Sequence, residues 1–199
     1  MNKLQGFYEL KWIGIPAITW KIFTEDTIFD ENLLWTIRVA VRFGEDINLP
    51  RAIGVKAEEA KFVAKNFLND FKENGLIIYY PFFIAIKSGN MEIKESRIII
   101  EAVKNDLWNL TTGGERDVTI FIDRLTKEMQ FYGDETFLTM QEIDELLRYA
   151  ARIRVKYKDY IFDRSSVMVE WSYAINTDIN RKPIGERYLV FYECRVLNF

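Results

Sequence analysis

The chain has 199 residues with a net charge of −3, so it can bury one sizeable core and lacks the basic balance typical of nucleic-acid-binding proteins. It contains no histidine, which excludes His-based triads, His-ligated zinc and a phosphohistidine carried by the chain itself. Its single cysteine, Cys194, excludes an internal disulfide. With no signal-like start and no long apolar run, we expect a cytoplasmic protein without a membrane partner.

The first half of the chain is predicted to contain one clear helix, whose apolar residues recur at helical spacing. Apolar runs beside it predict strands, and clusters of Gly, Pro, Ser and Asn predict turns. The elements expected here are a short helix or strand within residues 6–23, a strand at 33–42, a loop at 44–54, a helix at 57–74, a strand pair or bent strand at 76–86 and a turn at 88–90.

The second half is predicted to contain another helix, because Thr139 and Glu142 form a capping box before an apolar stripe. Strands are expected at 97–103, 118–123, 167–175 and 188–197, with a loop at 111–114 and a turn across 178–185. About six strands and two long packed helices in mixed order indicate an α+β fold with mixed or antiparallel sheets. We expect residues 1–199 to form one compact domain, with two lobes of about 1–90 and 91–199.

The last two predicted strands each carry a carboxylate within an apolar run, Glu170 and Glu193, and Arg195 follows Glu193 by two residues. Strand alternation places residues 189, 191, 193, 195 and 197 on one face. A buried carboxylate needs a cation, a proton or a hydrogen-bond partner, so this pair can hold a divalent metal with a polyphosphate. A solvent-covered face with a surface ion pair would explain the same pattern.

Arg38 is a third candidate, because it lies among apolar residues in the strand predicted at 33–42. A guanidinium there pairs with a carboxylate in a structural ion pair or with a phosphate in a binding site. Two weaker patterns have both structural and functional explanations. The small-residue segments 88–89 and 112–114 suit ordinary turns or a phosphate cradle, and the aromatic pairs 79–80 and 82–83 suit core packing or an adenine slot that includes Tyr79.

Taken in chain order, several stretches resemble the ATP-grasp nucleotide-binding domain of the phosphoenolpyruvate synthase and pyruvate phosphate dikinase family. The similar stretches are residues 14–16 (the G-x-P entry), 37–50 (V-R-S-S-A-x-x-E-D-L-P), 76–89 (the apolar strand and S-G turn), 98–117 (the G-L-G-E segment) and 137–157 with the two final strands (the helix, D-I-E-W-A and Y-I-L-Q-A-R-P).

The resemblance implies an ATP-grasp-like domain that binds ATP and Mg²⁺. Glu170 would sit at the metal-binding glutamate, and Glu193 would replace the glutamine that helps to hold metal and nucleotide. Arg38 and Arg195 would contact phosphate oxygens as the catalytic arginines. Lys21 or Lys104 would supply the lysine that anchors the nucleotide.

An active protein of this kind would be an ATP-dependent phosphotransferase, such as a kinase, or a ligase-like enzyme. Its phosphoryl acceptor would be a small molecule or a separate protein, since the chain has no histidine. The alternative is a non-catalytic relic of the fold that serves as a protein-interaction or regulatory module. Val39 and Ala40 in place of the family's serines, and residues 105–107 in place of Gly-Leu-Gly, favour the relic.

Overall fold

The computed structural model describes residues 3–43, 48–107, 110, 114–163 and 165–197. These residues form two antiparallel sheets with helices packed on them, which confirms the predicted α+β class with antiparallel sheets. In chain order the elements are α1 Lys3–Ile13, β1 Lys21–Ile22, β2 Trp35–Val41, β3 Arg51–Val55, α2 Ala57–Phe71, β4 Gly75–Pro81, β5 Phe83–Ile93, β6 Arg97–Lys104, β7 Val118–Asp123, β8 Met129–Gly133, α3 Met140–Lys156, α4 Lys158–Phe162, β9 Ser166–Thr177 and β10 Pro183–Leu197.

The small sheet has the strand order β1-β4-β2-β3, and α2 covers one of its faces. Ala60 and Ala64 of α2 are fully buried against Ile37 and Ile77 of the sheet. Small alanine side chains let the helix approach the strands closely, and the larger Phe67 and Phe71 pack at the margin of the same cluster. The apolar stripe predicted for this helix therefore faces the sheet.

The large sheet has the strand order β10-β9-β5-β6-β7-β8, and α3 and α4 cover one of its faces. The predicted capping box is present at the start of α3. The Glu142 backbone N–H donates to Thr139 Oγ1 at 3.2 Å, and the Thr139 backbone N–H donates to Glu142 Oε2 at 2.8 Å. The two long predicted helices are thus both present, but each packs on its own sheet.

Helix α1 lies along the outer strand of the large sheet, β10. Phe7 packs on one side of this strand in the cluster between the sheets, and Leu10 packs on the other side beneath α3. Gly6 brings the helix backbone against the carbonyl oxygen of Cys194, where a Cβ atom would collide. The helix therefore covers a strand edge that would otherwise be open to pairing with other chains.

The two sheets face each other across an apolar contact and are joined by two very short links. The chain leaves the small sheet at Pro81 and enters the large sheet at Phe83, so Phe82 is one link. Residues 16–18 pair with Phe191 of β10 and β1 begins at Lys21, so residues 19–20 are the other. Side chains from both sheets and from α1 form the contact, namely Phe7, Ile18, Trp20, Ile78, Tyr80, Ala174 and Val190. The division into lobes near residue 90 remains a prediction, and the change of sheet falls at residue 82.

Two predicted loops differ in the structure. Residues 88–90 do not turn the chain but lie inside β5, and Gly89 is required there because its missing Cβ leaves room for the Trp171 ring, 2.5 Å from where that atom would be. The predicted loop 44–54 contains a strand, β3, while residues 44–47 and 111–113 lie outside the described part of the chain. None of the described helices is long and apolar enough to cross a membrane.

Candidate functional site

The two predicted carboxylates are direct neighbours in the large sheet. Glu193 of β10 pairs with Glu170 of β9, and both side chains lie on the face that is turned towards the small sheet. Glu193 is 5% exposed and Glu170 is half-buried. Because paired residues have Cβ atoms about 4.5–5.5 Å apart, the two carboxylates share one site.

A β-bulge at Tyr192 determines which residues reach this face. Phe191 pairs with Trp171 and Glu193 pairs with Glu170, so one extra residue is accommodated in β10. Phe191 therefore points into the core beneath α3, whereas Glu193 points towards the small sheet. The prediction that residues 189, 191, 193, 195 and 197 share a face was wrong, since simple alternation does not allow for the bulge.

Both predicted arginines meet Glu193. Arg195 Nε donates to Glu193 Oε1 at 2.5 Å, and Arg38 Nη2 lies 3.9 Å from Glu193 Oε2. The Arg38 side chain is 13% exposed, and its guanidinium also lies 5.6 Å from the centre of the Phe7 ring. The structure therefore brings Arg38, Glu170, Glu193 and Arg195 together, although they come from three strands of two different sheets.

The charge on Arg38 is set by its neighbours. Burial alone would lower the pKa of this guanidinium, but the Tyr80 phenol and the carboxylates of Glu193 and Glu170 raise it above the ordinary value. Tyr192 lies on the same side of the sheet, and burial together with the Glu170 charge raises the pKa of its phenol well above normal. The site thus holds a permanent cation beside two acids, and the Tyr192 phenol next to them stays neutral.

Sequence reasoning missed Asn90, which continues the row formed by the carboxylates. Asn90 of β5 pairs with Glu170, so Asn90, Glu170 and Glu193 lie side by side across three strands. Its Oδ1 atom is buried and has no hydrogen-bond partner among the described residues. The sequence Ser-Gly-Asn predicts a turn, so the pattern does not indicate that Asn90 lies in a strand beside Glu170.

This row contains the ligands that Mg²⁺ prefers, since it offers two carboxylates and an amide oxygen. The described residues contain no cluster of three or more Asp, Glu, His or Cys side chains that could hold a metal ion by themselves. Mg²⁺ bound with a nucleotide ordinarily takes only one or two protein carboxylates, and phosphate and water oxygens complete its shell. The unpartnered Asn90 oxygen beside Glu170 fits such a partial ligand set.

A cavity of about 90 Å³ lies next to the charged row, between the two sheets. Arg38 and Arg51 line it from the small sheet. Ser88 and Ser172 line it from the large sheet, where their hydroxyl oxygens lie 2.8 Å apart. Asp106 closes one side. The cavity has both charged and apolar residues in its lining and is far smaller than the roughly 300–1,000 Å³ of ordinary small-molecule pockets.

Three other predicted residues lie away from this row. Tyr79 packs in the core beneath α2 against Phe29 and Trp35, on the opposite face of the small sheet from Arg38, so the expectation that it contacts a nucleotide there is corrected. Its neighbour Tyr80 lines the cavity instead. Lys21 and Lys104, the candidate anchoring lysines, are exposed and do not line it.

A second buried acid, Glu142, is predicted from the sequence only as part of the capping box, but it also forms two ion pairs. Lys87 Nζ donates to Glu142 Oε2 at 2.8 Å, and Arg187 Nη1 donates to Glu142 Oε1 at 2.5 Å. Burial opposes ionisation of this carboxyl, but the bonds from Lys87, the Thr139 backbone and Arg187 hold its pKa below the ordinary value. Glu142 therefore ties the start of α3 to β5 and β10 on the helical side of the large sheet.

Comparisons with known proteins found structural similarity only. No protein-family model and no curated protein matches the chain. An N5-carboxyaminoimidazole synthetase from Staphylococcus aureus, complexed with ADP, has a TM-score of 0.47 at 11% identity, over 97% of this chain and 43% of that one. The macrocyclase MdnC from Microcystis aeruginosa, bound with its precursor peptide MdnA, has a TM-score of 0.46 at 9% identity, over 96% and 51%.

A third structure, an L-amino acid ligase from Bacillus licheniformis, has a TM-score of 0.42 at 13% identity, over 97% of this chain and 39% of that one. The chain thus spans about half or less of the length of these proteins. The three are ATP-grasp enzymes, and none supports the phosphoenolpyruvate synthase and pyruvate phosphate dikinase family in particular. Because the TM-scores are this low, neither family nor function is assigned from them.

Proposed function

We propose that the chain is an ATP-grasp-like domain that binds ATP with Mg²⁺ between its two sheets. The observation that carries this proposal is the convergence of Arg38, Glu170, Glu193 and Arg195 at one place between the sheets. If these residues only formed surface ion pairs, their side chains would be exposed and far from one another. Instead, Glu193 is 5% exposed and contacts both arginines.

Each residue has a chemical role in this proposal. Glu170, Glu193 and Asn90 would supply oxygen ligands to Mg²⁺, which would neutralise the negative charge of the phosphates. Arg38 and Arg195 donate to phosphate oxygens, for which the guanidinium fork is well shaped. Tyr80 takes the place expected of Tyr79 at the edge of the cavity. In an active enzyme the two arginines would stabilise charge that develops during phosphoryl transfer.

Binding requires the small sheet to move. A cavity of about 90 Å³ cannot take a nucleotide, so the sheets must separate around their two short links, Phe82 and residues 19–20. The Arg38–Glu193 contact crosses between the sheets at 3.9 Å, and Arg195 lies on the same strand as Glu193. Opening would therefore release Arg38 to the phosphates while Arg195 keeps Glu193 in place. The acceptor would be a small molecule or a partner protein, in a phosphotransferase or ligase-like reaction.

Two features of the site favour an alternative from another class of protein. Glu193 already has two arginine partners, and the cavity beside it is small. In a non-catalytic relic the charged row would simply fasten the two sheets together, and the protein would act as an interaction or regulatory module. Buried ion pairs of this kind are retained in some proteins for structural specificity.

Calorimetric titration of ATP with and without Mg²⁺ distinguishes the nucleotide-binding domain from the non-catalytic relic. The test variant is Glu170→Gln/Glu193→Gln, which keeps the side-chain shape and removes the charges. Glu92→Gln is the matched control, because Glu92 lies two residues from Asn90 on the same strand face and is held by Ser166 and Lys94. Mg²⁺-dependent binding that is lost only in the double variant supports the proposal. Absence of binding at millimolar ATP by the folded wild type would move the assignment to the relic.

A further inference from the structure

A cavity of about 260 Å³ lies on the helical side of the large sheet, between the sheet and α3. Its floor is a row of three isoleucines, Ile93, Ile98 and Ile122, which pair with one another across β5, β6 and β7. Its roof is α3, where Ala150 and Ala151 line the space. Because alanine side chains are short, the helix does not fill the space above the isoleucines.

The cavity is separate from the site proposed for the nucleotide. Ile93 lies three residues after Asn90 on β5, and strand alternation places these two side chains on opposite faces of the large sheet. Ile93 packs in the core beneath α3, whereas Asn90 belongs to the carboxylate row that is turned towards the small sheet. A ligand in this cavity would therefore contact none of the residues proposed to bind ATP.

The edge of the cavity carries more positive than negative charge. The charged residues in the lining are Asp123, Arg124, Lys127 and Arg154. Asp123 Oδ1 accepts from the backbone N–H groups of Thr126 and Leu125, at 2.9 and 2.8 Å. These bonds and the Lys127 charge hold the pKa of Asp123 below its ordinary value. The one acid is thus occupied by its own turn and by Lys127, which leaves the two arginines.

The two arginines come from different elements and converge on one atom. Arg124 Nη1, from the turn between β7 and β8, donates to the carbonyl oxygen of Glu95, and Arg154 Nη1 of α3 donates to the same oxygen at 3.4 Å. Both side chains are half-buried, and no described carboxylate forms an ion pair with either. A neutral carbonyl does not offset the repulsion between two guanidinium groups, whereas a bound anion would.

We propose that this cavity binds a small amphiphile, with an aliphatic chain over the isoleucine row and an anionic head group between Arg124 and Arg154. A carboxylate or a phosphate suits the guanidinium fork equally. The chain is aliphatic because none of the described residues in the lining is aromatic and able to stack with a ring. An apolar cavity of about 150 Å³ accepts the six carbons of benzene, so 260 Å³ suits a chain of roughly eight to ten carbons.

The test measures the affinity of the full chain for octanoate and for octyl phosphate, by saturation-transfer NMR at the terminal methyl group of the probe. Binding of either probe supports the proposal, and the tighter one identifies the head group. Arg124→Gln/Arg154→Gln removes both guanidinium groups and should weaken binding at least tenfold. Ala151→Phe narrows the cavity from an exposed position on α3 and should also weaken binding, by reducing the room for the chain.

Arg148→Gln/Arg152→Gln is the matched control, because it removes the same charge from exposed residues of α3 that do not line the cavity. Its affinity should stay within about twofold of the wild type. Octanol should bind the wild type more weakly than octanoate, and acetate, which lacks the chain, should bind more weakly still. Circular dichroism verifies that each variant is folded.

Three results would overturn the proposal. The first is that the folded wild type binds neither octanoate nor octyl phosphate at millimolar concentration. The second is that Arg124→Gln/Arg154→Gln binds as tightly as the wild type. The third is that Arg148→Gln/Arg152→Gln loses as much affinity as the test variant, since binding would then depend only on the net charge of the protein. Titration of ATP is a separate measurement, so a failure here leaves the nucleotide proposal unchanged.

Discussion

Glu170 and Glu193 stand directly opposite each other on β9 and β10, with both carboxylates on the same face of the large sheet. Like charges in this position destabilise a sheet. Arg38 and Arg195 offset the repulsion, and both of them contact Glu193. The stability of the row therefore depends on the two contacts that Glu193 makes with these arginines.

We expect Glu193→Gln to lower the free energy of unfolding by about 2 kcal/mol. The substitution leaves two guanidinium groups without the carboxylate that they contact, and this loss outweighs the relief of the like-charge contact with Glu170. Urea unfolding monitored by circular dichroism measures the change, with Glu92→Gln as the control. A Glu193→Gln variant as stable as the wild type would show that these contacts do not stabilise the fold.

Gly89→Ala should cost about 3 kcal/mol of stability, because the new Cβ atom would lie 2.5 Å from the Trp171 ring and against the Glu101 carbonyl inside the sheet. Gly185→Ala is the matched control: its φ of +77° strains an alanine, but nothing lies within 4 Å, so its cost should stay near 1 kcal/mol. Thermal unfolding of the three proteins gives the comparison. A Gly89→Ala variant as stable as Gly185→Ala would show that Trp171 can move aside.

Glu142 predicts a pH-dependent contribution to stability. Its pKa in the folded protein is lowered from 4.5, so the stabilisation is fully present above that value and is lost as the pH falls through the folded pKa. Glu142→Gln should be about 2 kcal/mol less stable at neutral pH, and its deficit should shrink as the pH falls below 4.5.

Urea unfolding at several pH values tests this, with the exposed residue Glu135 changed to Gln as the control. Only the difference between each variant and the wild type is informative, because every carboxylate titrates in this range. A deficit that is independent of pH would mean that the charge of Glu142 does not stabilise the fold.

Cys194 should be unreactive in the native protein. Burial raises the pKa of its thiol to about 12, and the Sγ atom lies 3.9 Å from the Tyr157 hydroxyl beneath α3. Ellman's reagent at pH 8 should therefore label the thiol only when the protein opens, so that the labelling rate reports on unfolding. The protein in concentrated urea provides the fully reactive control. Rapid stoichiometric labelling of the folded protein would contradict the burial of this strand.

The elements with a strong local pattern could be predicted from the sequence. The apolar stripe of α2 and the Thr139–Glu142 capping box of α3 are encoded within a few residues, and both helices are present as expected. Arg38 and the two carboxylates were identifiable because a charge inside an apolar strand is costly and needs a partner. The desolvation cost of a buried charge therefore identifies these three residues as site candidates without knowledge of their partners.

The remaining features depend on contacts between distant parts of the chain. Tyr79 and Tyr80 are adjacent and chemically identical, and only the pairing of β4 with β2 decides which ring faces the cavity. The bulge at Tyr192 arises from the pairing of β10 with β9 and reverses the alternation expected around it. Asn90 belongs to the site only because β9 is its neighbour.

The position of β9 in the large sheet has a consequence for the order of folding. It lies between β5 and β10, yet the chain reaches it only after β6, β7, β8, α3 and α4. Pairing β9 with β5 closes a long loop and loses chain entropy before the hydrogen bonds between these strands form. The small sheet, by contrast, is built from residues 21–81, which are close together in the sequence. The contact of Asn90 with Glu170 therefore closes this long loop, whereas the two carboxylates belong to a single hairpin of consecutive strands. A ligand that needs Asn90 as well as the two acids is therefore expected to stabilise only molecules in which β5 has already paired with β9.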